Sequence, residues 1–137
     1  MKSSVVDTSV VIKWFFEEKG NKEAQKLKED HLDGKVRLCT LDLLLYEFTS
    51  AFKNYKSKKI EEKDFQIAIT TLQSLALSSY SLGFHELSYL FNLSRKLNIS
   101  IYDCSYILLS KKLHCPLYTA DQKLHSAAKK VVTSYFV

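Results

Sequence analysis

Four carboxylates stand out by where they fall in the chain. Asp7 interrupts the apolar run VVDTSVVI, Asp103 closes ISIYD, Asp121 follows LYTA, and Glu47 lies inside LDLLLYEFTSAF. On a helical wheel of ~100° per residue, Glu47 falls between Leu43, Leu44 and Ala51, on an apolar side of its helix away from the lysines. A carboxylate aimed at a protein interior is costly unless it is paired, hydrogen-bonded or bound to a cation. Several carboxylates brought together cannot all stay ionised without a counter-charge. A hard divalent cation such as Mg²⁺ or Mn²⁺ supplies that charge, because it prefers carboxylate and water oxygens. One or two such ions activate a water and stabilise the attacking and leaving oxygens of a phosphodiester, so the chemistry these residues suit is nucleic-acid hydrolysis. Each acid also has a simpler reading. Asp103 and Asp121 stand where helices begin and could be N-caps, Glu47 could reach solvent or a lysine, and Asp7 could bond the turn after its strand.

The elements that must position these acids alternate in type. SSVVD (3–7), VRLCT (36–40), SYSL (79–82), CPLYT (115–119) and the terminal VVTSYF read as short strands. TSVVIKWF, the stretch from Asn21 to the stop at Gly34, residues 41–56, DFQIAITTLQSLA, residues 84–97, CSYILLSKKL and DQKLHSAAKK read as helices. ISIYD (99–103) reads as a brief extended connection. This alternation predicts an α/β, three-layer sandwich with a mainly parallel sheet of about five strands flanked by helices, with residues 1–137 as one domain. In such a sheet ligands bind outside the carboxyl ends of the strands, where Asp7, Asp103 and Asp121 are expected.

Composition narrows the alternatives. Three glycines and one proline are too few for the tight turns of an all-β sandwich. Lys13, Asp42 and Glu47 cut the longest apolar stretches well short of the ~20 residues a membrane helix needs, and no signal-peptide cleavage site follows the N-terminal run, so a cytoplasmic protein without a membrane span is expected. Cys39, Cys104 and Cys115 lack CxxC spacing and read as reduced core thiols. The histidines show no pair at metal-ligand spacing. No GxxxxGK or GxGxxG run supports a nucleotide-binding enzyme, and Ser9 stands where a haloacid-dehalogenase-like phosphatase would carry a second acid. The net charge is +5, and with the four acids set apart in a cleft the remaining surface is more basic still. Lys13, Lys53 and Lys56, with Lys58 and Lys59, are candidates to line a path for an RNA backbone; solvated helix faces are the simpler account of such lysines.

VVDTSVVIKWF, LDLLLYEFTSAF, IYDCSYILLS and YTADQKL, in that order, resemble the motifs of the PIN-domain ribonucleases, and among them the small single-domain toxins of VapC type. The resemblance covers nearly the whole chain. It implies a PIN-like fold and an Mg²⁺- or Mn²⁺-dependent endoribonuclease, the toxin of a type II toxin–antitoxin pair. Asp7 then corresponds to a central metal ligand, completed by Glu47, Asp103 and Asp121, with Ser9 and Thr119 hydrogen-bonding the acids from behind. It further implies an RNA substrate, a homodimer and a small antitoxin partner. A housekeeping RNA-processing nuclease and a non-catalytic nucleic-acid- or protein-binding module on the same fold are the alternatives. Leu41 and Ser50 depart from the proline and asparagine that the family often has around the Glu47 helix, and Cys104 beside Asp103 is expected in the core.

Overall fold

The computed structural model describes residues 1–16 and 21–137. Five short strands, β1 (Lys2–Val6), β2 (Val36–Leu41), β3 (Ser78–Tyr80), β4 (Leu117–Thr119) and β5 (Ser134–Phe136), form one sheet in the order β3-β2-β1-β4-β5. Every pairing is parallel, with Val5 opposite both Cys39 and Leu117. The chain builds outward from β1 to β2 and β3, then returns to the other side of β1 for β4 and β5. The sheet therefore has its topological switch point between β1 and β4, and the crevice outside their carboxyl ends is where such sheets take ligands.

Helices cover both faces. On one side α1 (Thr8–Ile12), α2 (Asn21–Leu32), α3 (Leu43–Lys53) and α4 (Glu62–Ser74) bury Val10, Val11, Leu27, Leu44, Phe48, Phe52 and Leu72 against Val6 and Leu38. On the other, α5 (Leu87–Leu97), α6 (Ile101–Leu113) and α7 (Gln122–Ala128) bury Leu90, Leu93, Tyr106, Ile107, Leu109 and Leu124 against Val5, Cys39 and Leu117. Successive residues of a strand point to opposite faces, so Val5 and Val6, both fully buried, each belong to a different core. Two-sided burial explains why the strands read as continuous apolar runs.

The expected strands and helices recur with small shifts. Gly34 stops α2 as expected: at φ +77° it accepts the left-handed geometry that lets the Lys35 N–H reach the Asp30 carbonyl. One segment is corrected. ISIYD is not extended from residue 101 onward, because Ser100 caps α6 by accepting the Asp103 N–H at 3.0 Å and the helix begins at Ile101. Its β-branched residues favour extension, but Ile99 is buried outside the helix and Ile101 is exposed on its first turn. Cys39, Cys104 and Cys115 are free thiols. Among the described residues no helix is long and apolar enough to cross a membrane.

Candidate active site

Asp7 is the first residue beyond β1, at the switch point. Its N–H continues the β1–β4 ladder to the Tyr118 carbonyl, and its side chain turns back to cap α1, with Oδ1 accepting the Val10 N–H at 3.2 Å. Two hydroxyls complete its shell: Ser9 donates to Oδ1 and Thr119 to Oδ2, each at 2.6 Å. Both hydroxyls also accept backbone donors from the loop after β4, the Ala120 N–H on Ser9 Oγ at 2.8 Å and the Asp121 N–H on Thr119 Oγ1 at 3.0 Å. Each hydroxyl thus accepts a backbone N–H and donates its own proton to the carboxylate. Thr119 is fully buried and Asp7 only 4% exposed. Burial pushes the Asp7 carboxyl up to about 6, the hydrogen bonds from Ser9, Thr119 and Val10 oppose it, and the charge of Asp103 adds to it.

Glu47 projects from the first half of α3, one residue before the core residue Phe48. Its Oε1 accepts two hydroxyls, Thr8 Oγ1 and Tyr106 Oη, each at 2.8 Å. Sequence reasoning missed both donors. Thr8 directly follows Asp7, and Tyr106 lies three residues after Asp103 on the same side of α6, a spacing that could have identified it.

Asp103 stands in the first turn of α6 and Asp121 at the N-cap of α7, where its Oδ1 accepts the Lys123 and Leu124 N–H groups at 2.9 and 3.1 Å. The capping reading of Asp121 is therefore correct, while that of Asp103 is replaced by Ser100. Partial burial raises the Asp103 carboxyl, and the negative charges of Asp121 and Glu47 raise it further, with Lys123 opposing. With the effect of Asp103 on Asp7, this makes Asp103 the acid whose charge links the other three, which come from separate parts of the chain. Among the described residues no ion pair joins a basic side chain to any of them.

Lys53, the last residue of α3, and Lys56, just after it, are exposed. Lys13 is different: at the C-cap of α1 it is only 7% exposed, and that burial sets it apart from the basic path expected for it. Lys123, not singled out from the sequence, is the exposed lysine whose charge acts on Asp103.

The donors around the crevice are hard oxygens. The Cys104 thiol is fully buried, held up at about 11 by burial and by Asp103, and contributes no soft ligand. Among the described residues no three acidic, histidine or cysteine side chains close into a ready cage around one point. Mg²⁺ needs no such cage, since it keeps several waters and uses one or two carboxylates, so this acidic, all-oxygen set suits a hydrated hard divalent ion.

Comparison with solved structures gives the same architecture. PAE2754 from Pyrobaculum aerophilum superposes with a TM-score of 0.72 at 16% identity, covering 97% of this chain and 83% of that one. FitAcB from Neisseria gonorrhoeae matches at 0.65 and 12% identity, covering 96% of each chain. A domain of a functionally unknown protein from Methanocaldococcus jannaschii matches at 0.52 and 18%, covering the whole of this chain and 91% of that one. Curated proteins yield no match. The model of the PIN domain, a family whose members are generally nucleases that use divalent metal ions, matches residues 4–130, and the chain belongs to that family.

Proposed function

We propose that this chain, as a single PIN domain over residues 1–137, is an endoribonuclease that uses Mg²⁺ or Mn²⁺ to hydrolyse RNA phosphodiester bonds. The observation that carries the reading is that the charge of Asp103 acts on Asp7, while Glu47 and Asp121 act on Asp103, at the crevice where Asp7 lies buried and, among the described residues, hydrogen-bonded by neutral donors. Asp7 and its three acidic neighbours would hold the ion. When bound, it lowers the pKa of a coordinated water and neutralises charge developing on the phosphoryl oxygens. Ser9 and Thr119 orient Asp7 from behind, so that the carboxylate does not have to be reorganised when substrate arrives. Lys53 and Lys56 meet the RNA backbone beyond the scissile bond.

The biological role we infer is that of the toxin in a type II toxin–antitoxin pair, acting as a homodimer and restrained by a small antitoxin. The motif resemblance and the fold shared with FitAcB support this role. The test is cleavage of unstructured RNA by the purified chain with Mn²⁺, with EDTA, and with Asp7→Asn. Metal-dependent cleavage lost in the variant is expected; cleavage that persists in EDTA or in a folded Asp7→Asn chain would overturn the reading.

A further inference from the structure

Tyr106 is a core residue of α6, yet its hydroxyl is directed at one carboxylate oxygen of the crevice. Its ring is 1% exposed, packed in the core beneath α6, while its Oη reaches Glu47 Oε1 at 2.8 Å. Thr8 Oγ1 meets the same oxygen at 2.8 Å and stands 3.2 Å from the Tyr106 hydroxyl. The three side chains come from α1, α3 and α6, the elements that follow Asp7, carry Glu47 and carry Asp103 respectively. Both donors fall on Oε1, and among the described residues none donates to Oε2.

We propose that Thr8 and Tyr106 form a two-hydroxyl clamp that positions Glu47, reserving Oε2 as the single oxygen it presents to a divalent ion and setting its distance from Asp7 and Asp103. The inference rests on the reading of Glu47 as a metal ligand. The physical grounds are separate from that reading. A glutamate has three rotatable side-chain bonds, and on a half-exposed helix face it would sample several rotamers. Two hydrogen bonds from groups on two other elements select one of them. Tyr106 suits the role because its ring is locked by core packing, so the hydroxyl position is as rigid as the core itself. It also shares a side of α6 with Asp103, three residues earlier, so movement of that helix carries the Glu47 anchor and Asp103 together.

Tyr106 and Thr8 are thus positioning residues that act through Glu47, and their removal should appear in metal affinity. Direct Mn²⁺ binding, measured by electron paramagnetic resonance on the metal-free full chain, is the readout. Tyr106→Phe and Thr8→Val should each weaken Mn²⁺ binding by about tenfold, the range found when groups behind metal ligands are removed. Thr8→Ser, which keeps the hydroxyl, should bind like the wild type. In a Glu47→Ala background, Tyr106→Phe should have no further effect on Mn²⁺ affinity, because the residue through which it acts is gone. Loss of packing alone would lower the melting temperature without this pattern. Unchanged Mn²⁺ affinity in both Tyr106→Phe and Thr8→Val, with a wild type that binds Mn²⁺ and cleaves RNA, would overturn the clamp and leave the nuclease reading standing. A wild-type chain that binds no Mn²⁺ would overturn both.

Discussion

Asp7 shows how a single side chain can be set against the stability of its own fold. Its pKa rises from 3.8 in the unfolded chain to about 6 in the folded one, chiefly through burial. Between those values the folded state holds a proton that the unfolded state has released, so stability falls as pH rises from about 4 to about 6 and levels off above. A rise of that size corresponds to about 3 kcal/mol. Urea unfolding in EDTA across that range should show this loss in the wild type and not in Asp7→Asn, whose amide does not titrate. A difference between the two that is flat with pH would contradict the placement of Asp7. On the proposed function, in which Asp7 holds the metal, the same variant should lose at least about a hundredfold in RNA cleavage at pH 7 while keeping the circular dichroism of the wild type. Asp7 was legible in the sequence because a charge inside a β-branched run demands explanation. Thr8 and Tyr106 were not, because a threonine and a tyrosine inside apolar stretches look like ordinary core residues until a distant glutamate is seen beside them.

At the scale of elements, helix starts do double duty. Asp121 caps α7 and is also one of the four acids, and the two roles separate by substitution. Asp121→Asn keeps the capping oxygen and should leave stability within about 0.5 kcal/mol while reducing cleavage sharply; Asp121→Ala should lose cleavage and also cost about 1 kcal/mol in chemical unfolding. Equal stabilities for the two variants would mean that the cap contributes nothing. The strands and most helices were readable because burial on both sheet faces leaves unbroken apolar runs and the helices keep a regular apolar stripe. The start of α6 was not readable for a physical reason: local β-branched propensity around Ile99 and Ile101 is outweighed by the Ser100 cap and by core packing of the next three turns.

At the scale of the whole molecule, the question is how a basic surface serves an acidic crevice. Lys53 at the end of α3 and Lys56 in the segment just after it are both exposed and, on the proposed function, should contact phosphates and contribute to the salt dependence of RNA binding. Binding of single-stranded RNA to the Asp7→Asn chain, measured against salt concentration, should lose about 0.7 of logarithmic slope for each lysine replaced by alanine. Lys13→Ala, at a buried position, should leave the slope unchanged and act on stability instead. The sequence by itself determined the α/β alternation and the parallel sheet and singled out the four acids as candidates, because each depends on local periodicity or on a charge in an apolar setting. Only the tertiary structure decided which strand ends adjoin, which helix start Asp103 occupies, that Lys13 is buried, and that hydroxyls from α1 and α6 meet on Glu47. Those facts depend on contacts between residues as many as 112 positions apart, and no local pattern encodes such distances.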